Sequence, residues 1–177
     1  DGFLRDGTGG GELWDCLMAV GEPMGLKPGH TSSIRRIEGA MLSYHADMTL
    51  KNNPFELGMD RLVDLDMDAD FVSKAALKRI KEEGISQLQV GLEFDGDPLE
   101  GSNDELWPIS IDGDVVGRVT SAIYSPRLEK NIALALIAID HSAIGTRATI
   151  HTEEGERQCE VVPKPFHDPK KAIAATG

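Results

Sequence analysis

The chain has 177 residues, of which 40% are hydrophobic and 27% charged, room for one domain or two small ones of ordinary globular composition. Eighteen Lys and Arg stand against 30 Asp and Glu, a formal net charge of −12, and this disfavours nucleic acid and anionic membrane surfaces, which need a basic face. No run approaches the roughly 18 apolar residues of a membrane helix. The opening Asp1-Gly2-Phe3-Leu4-Arg5 lacks signal-peptide character, so a cytoplasmic location is expected.

In chain order, the first residues read as the end of a strand, and an exposed sheet edge there would make a homo-oligomer possible. Gly7 to Gly11 is a turn, since no Gly-Lys-Ser/Thr follows to make a phosphate loop. Leu13, Leu17, Val20 and Met24 predict a helix from Glu12 to about Met24, stopped by Gly25 and Pro28. A second helix starts near Thr31-Ser32-Ser33 and carries Ile34, Ile37, Met41 and Tyr44 on one face. Leu62 to Leu65 suggests a short strand. A third helix, Asp70 to Glu83, is capped by Asp70, amphipathic through Val72, Ala76 and Ile80, and ended by Gly84. The alternating Asp64, Asp66, Asp68 and Asp70 lack the Gly and distal Glu of a calcium loop.

Beyond Gly84 the period changes from helical to two. Leu88 to Phe94 alternates like a half-buried strand, and Ile109 to Val119 reads as a hairpin around Asp112-Gly113. Ile132 to Ile139 is a buried strand, and Ala148 to Val162 a second hairpin turning at Glu154-Gly155. Five or six strands without intervening helices predict a small barrel or sandwich. The boundary is expected near Ile85, giving segments 1–84 and 85–177. Cys16 and Cys159 are read as buried free thiols, and neither they nor His30, His45, His141, His151 and His167 have metal-ligand spacing.

Several stretches carry a resemblance. Arg36-Ile37-Glu38, with Tyr44-His45-Ala46-Asp47, is similar to an R-L-E…Y-G-x-D helix. Asn53-Pro54-Phe55-Glu56-Leu57-Gly58 is similar to an x-P-x-E-x-G segment, and Asp70 to Leu77 to a D-F-x-G-K/R-x-A-L helix start. Gly117 to Ser121, Tyr124-Ser125-Pro126 and Lys130 to Ala133 are similar to a G-x-V-T-S…S-P…N-I-A run. Together they resemble the C-terminal half of the glycine-cleavage T-protein (aminomethyltransferase) family. The resemblance implies an α+β fold: a helical segment completing a folate-binding core, then a small C-terminal antiparallel β-barrel. It implies tetrahydrofolate as one-carbon acceptor, a small-molecule methyl donor, and the N-terminal half of the same protein as partner. Ser43 before Tyr44, and the lack of Trp between Phe55 and Val63, resemble the dimethylsulfoniopropionate and O-demethylase branch more than the aminomethyltransferases. An aminomethyltransferase, or a non-catalytic folate-binding module fused to an oxidoreductase, are the alternatives.

The family likeness places Arg36 at a folate site, where a guanidinium can bind a carboxylate of the glutamate tail through two parallel hydrogen bonds. The other reading of Arg36 is an ion pair between elements. Tyr44 is read as core or as a ring at the ligand, and Glu38 as a positioning partner or a tie to another element. Catalytic residues are expected upstream of this chain. Pro165-Phe166 is read as closing the barrel.

Overall fold

The structure, a computed structural model, describes residues 7–28, 32–170 and 172. The expected strand end at the start of the chain, and His30, Thr31 and Lys171, lie outside them. The chain divides into two compact units, Asp1–Thr31 and Ser32–Gly177.

In the first unit, α1 spans Gly10–Gly21 and a single 3-10 turn follows at Glu22–Met24. Gly25 reverses the chain with φ +84°, and Leu26 folds back so that its amide donates to the Gly21 carbonyl at 2.9 Å. Trp14, Leu17, Val20 and Met24 are exposed. Cys16 is also exposed, against the expected burial. A single helix with one returning loop cannot enclose it.

In the second unit, Ser32 caps α2 (Ser33–Glu38) by accepting from the Arg35 amide. The helix stops far short of the expected face. Gly39 follows, Ala40 turns left-handed at φ 51°, and the Met41 amide closes on the Arg36 carbonyl at 2.9 Å. Met41 and Tyr44 therefore leave the helical stripe and are exposed, and only Ile34 and Ile37 stay against the barrel. The expected strand at Leu62–Leu65 is instead a 3-10 turn, Asp60–Leu62, followed by an Asx turn in which Asp64 Oδ1 accepts from the Asp66 and Met67 amides. The third helix, α3, runs only from Lys74 to Glu83. Asp70 spends its carboxylate on the neighbouring Phe71 amide, Ser73 adopts φ 74°, and Val72 is exposed outside the helix.

Six antiparallel strands then close a barrel in the order β1-β4-β3-β2-β5-β6. They are β1 Gln87–Phe94, β2 Trp107–Ile111, β3 Asp114–Ser125, β4 Lys130–Ala138, β5 Arg147–Thr152 and β6 Gly155–Val162. Asp112 (φ 51°) and Gly113 (φ 90°) both sit in the left-handed region that a tight type I′ hairpin requires. Val90, Leu92, Ile109, Val119, Ile150 and Val161 fill the interior. A second cluster lies outside the wall, where Ile37 of α2 packs on Ile123, Ile132 and Leu134. Burying an isoleucine in this way is worth about 1.5–3 kcal/mol.

Strand β1 is not half-buried as its alternation predicts. Gln89 to Leu92 are all buried, because the outer face is covered as well. The Glu56 backbone carbonyl accepts from the Gln89 backbone N–H at 2.7 Å, and Phe166 lies over Gly91 so closely that a Cβ there would be 2.9 Å from its ring. Among the described residues, no helix is long and apolar enough to cross a membrane.

Candidate functional site

A β-bulge builds the centre of the site. The register of β3 against β4 shifts between Val119 and Ser121, and Val119 and Ala122 both belong to the interior cluster. Thr120 and Ser121 therefore face outward together, which regular alternation would forbid. Both hydroxyls donate to Asp47 Oδ1, at 2.6 and 2.7 Å.

Asp47 is buried, and its other oxygen is equally committed. Oδ2 accepts from the Ser43 amide at 2.8 Å and from Arg36 Nη1 at 2.6 Å. A buried carboxylate needs such a complement, since desolvating an unpaired one costs several kcal/mol. Asp47 is thus the post on which α2, the 43–48 turn and the barrel wall are tied together.

Arg36 is held on three sides. Nη1 also donates to the Met41 carbonyl at 3.1 Å, and Nη2 donates to Ser121 Oγ at 2.8 Å. These bonds consume both N–H groups of Nη1 and one of Nη2. Among the described residues, Nε–H and the second Nη2 N–H have no partner. A guanidinium presents Nε–H and an Nη2 N–H together along one edge, and the Arg36 side chain is 25% exposed. That edge is preoriented for a planar, two-oxygen acceptor.

Tyr44 is carried on the same turn as Asp47. It is 49% exposed, so it is neither core nor enclosed, and its ring meets the His45 ring edge-on with centroids 4.3 Å apart. His45 has φ 76°, a conformation that glycine adopts at least cost, which fits the family pattern having Gly at this place. Glu38 points elsewhere. It is buried, accepts from Ser125 Oγ at 2.5 Å, and faces the Arg127 guanidinium at 3.9 Å. The structure therefore brings Arg36 to the turn that carries Tyr44 and sends Glu38 to the end of β3.

Sequence reasoning overlooked Asp47, Thr120 and Ser121 as a unit, although each stood in a quoted motif. The available signal was a pair of adjacent hydroxyls within β3, set between the apolar Val119 and Ala122. It also passed over Lys164. Burial holds the Lys164 ammonium below its usual value, at about 8, while the nearby Asp47 charge pulls the other way. Cys159 is pushed up to about 12, by burial first, with the Ala148 carbonyl beside its Sγ at 3.3 Å. Among the described residues, no group of three or more His, Cys, Asp or Glu is placed to hold a metal ion.

Two family profiles match: the GCVT N-terminal domain over residues 5–67 and the glycine cleavage T-protein C-terminal barrel domain over residues 88–168. The chain belongs to the glycine cleavage T-protein family. It is 36% identical over 160 residues to the aminomethyltransferase of Symbiobacterium thermophilum, a match taking in 88% of this chain and 41% of that protein. It is 33% identical over 151 residues to the dimethylsulfoniopropionate demethylase DmdA of Ruegeria pomeroyi, covering 84% of this chain and 40% of that one. The chain thus spans about two-fifths of the length of these relatives. The fold is shared with the glycine cleavage system aminomethyltransferase T from Bartonella henselae, at a TM-score of 0.67 and 19% identity, over 76% of this chain and 37% of that one.

Proposed function

We propose that this chain is the C-terminal part of a tetrahydrofolate-dependent one-carbon transferase and gives one wall of its folate site. The supporting observation is the open edge of Arg36. Two parallel N–H donors, fixed by Asp47 and Ser121 behind them, suit one carboxylate of a folate glutamate tail. Segment 1–84 would complete the folate-binding core and 85–177 would form the barrel that braces it. Tyr44, exposed on the turn beyond Arg36, is positioned to add ring contact. Glu38 acts indirectly, by fixing α2 to β3. The reacting groups lie in the N-terminal half, so this chain alone is inactive.

The transferred group is a methyl from a sulfonium or methoxy compound, a choice supported by Ser43 before Tyr44 and by the absence of Trp between Phe55 and Val63. An aminomethyl donor is the second reading, supported by the aminomethyltransferases among the relatives. Catalysis would rest on holding the donor carbon beside the pterin nitrogen and controlling that nitrogen's proton. The test is tetrahydrofolate-dependent transfer by the intact protein from dimethylsulfoniopropionate, a methoxy-aromatic acid and an aminomethyl donor. A methylated folate from either of the first two supports the first choice. Turnover of the aminomethyl donor alone selects the second, and no transfer from any of the three would sink both.

A further inference from the structure

A separate cavity of about 400 Å³ opens on the outer face of β1, between the loop after α2, the 57–61 segment and the C-terminal strap at Lys164-Pro165. Met41, Leu42, Leu57 and Met59 give it apolar walls. Three polar side chains interrupt them, Gln89, Lys164 and the exposed Arg61. Gln89, 1% exposed, lines the cavity, and neither its Nε2 nor its Oε1 has a hydrogen-bond partner among the described residues. Leaving a buried amide without partners is costly at both atoms. Lys164 is the second. Its side chain starts over Gly91, where an added Cβ would be 3.3 Å from the Lys164 Cβ, and its Nζ ends beside Gly58, 3.9 Å from where a Cβ there would sit. No ion pair or hydrogen bond to Lys164 occurs among the described residues. The nearby Asp47 is already committed to Arg36, Ser43, Thr120 and Ser121.

Each feature constrains the occupant. An ammonium has three donors, no acceptor and a positive charge, so it favours a ligand with an anionic acceptor. The Gln89 amide offers a donor and an acceptor, so the ligand must also bring a neutral donor close to its anion. The remaining walls suit an aliphatic body. Arg61, exposed on the rim, adds a second positive charge and no negative one. We propose that this cavity binds a small carboxylate carrying an adjacent neutral hydrogen-bond donor and a short apolar tail, through Lys164 and Gln89. The ligand's carboxylate takes the Lys164 ammonium and a Gln89 N–H, and its hydroxyl donates to Gln89 Oε1. No bond is made or broken. The site shares Met41 with Arg36, whose Nη1 donates to the Met41 carbonyl, but takes its polar contacts from Lys164 and Gln89 and does not depend on the folate reading.

The experiment is calorimetric titration of the full chain with three probes of one shape: 2-hydroxy-4-methylpentanoate, 4-methylpentanoate without the hydroxyl, and 2-hydroxy-4-methylpentanamide without the charge. The hydroxy acid is expected to bind about tenfold more tightly than either of the others, as one well-placed hydrogen bond or charge contact provides. Gln89→Leu should abolish the preference for the hydroxyl and keep the preference for the charge. Lys164→Met should do the reverse. Gln89→Leu removes a buried polar group, so its thermal stability should be no lower, and that control separates a lost site from a lost fold. Equal affinity for all three probes, no binding of any, or preferences unchanged in both variants overturns the proposal.

Discussion

Arg36 and Asp47 are 11 residues apart and meet at 2.6 Å, with the aspartate fully buried and the arginine a quarter open to solvent. The pair closes the loop after α2 and joins it to the bulge of β3. Removing one partner of a buried pair leaves an uncompensated polar set, at about 3–5 kcal/mol. Asp47→Ala should lower unfolding stability by that amount in chemical denaturation, with an unchanged m-value. A loss below about 1 kcal/mol would contradict the central place given to Asp47.

Ser125 and Glu38 make the second tie between α2 and the barrel. Ser125→Ala removes a hydrogen bond to a buried carboxylate and should cost about 1.5–3 kcal/mol. Arg127, more exposed and at 3.9 Å from Glu38, should matter much less: Arg127→Ala is expected within about 1 kcal/mol. A larger loss for Arg127→Ala than for Ser125→Ala would show that the charge, rather than the serine hydroxyl, holds Glu38.

The two thiols should differ in reactivity. Cys16 is exposed, whereas Cys159 is buried with its pKa raised to about 12. A thiolate reagent at neutral pH should label one cysteine per native chain and two after denaturation. Mass mapping that finds Cys159 labelled in the native chain would show that β6 opens more readily than a closed barrel permits.

Lys164 gives a pH dependence of defined sign. Its folded pKa of about 8 lies below the ordinary 10.5, so between these values the unfolded chain binds more protons. Stability from this group therefore rises as pH increases from about 8 to about 10.5, and the charged form is penalised below that window. The difference in unfolding free energy between wild type and Lys164→Met should move in favour of wild type across this range. A flat difference would place Lys164 in water.

The barrel was legible because its signals are local. Alternation in β1, the Asp112-Gly113 turn and the apolar run of β4 each declare a strand within about ten residues. The end of α2 was not. Ile34, Ile37, Met41 and Tyr44 continue a helical spacing on paper, yet the chain turns at Gly39-Ala40, because Asp47 must reach hydroxyls 73 and 74 residues further on. A contact of that separation has no trace in periodicity. Arg36 was found through resemblance, and its three ties only through the fold. Gln89 and Lys164 had no signal, since a lone Gln in a strand and a lone Lys before a proline acquire meaning only when one cavity joins them.

The central claim is that the open edge of Arg36 receives a folate carboxylate, and one comparison tests it. Tetrahydrofolate and tetrahydropteroate differ by the glutamate, so their affinities for the intact protein isolate that contact. Wild type should favour tetrahydrofolate by about tenfold or more. Arg36→Lys keeps a charge beside Asp47 but loses the two-pronged donor, and should bring the ratio close to one. A purely structural Arg36 would alter both affinities together. An unchanged ratio in Arg36→Lys, or no preference in wild type, would contradict the account.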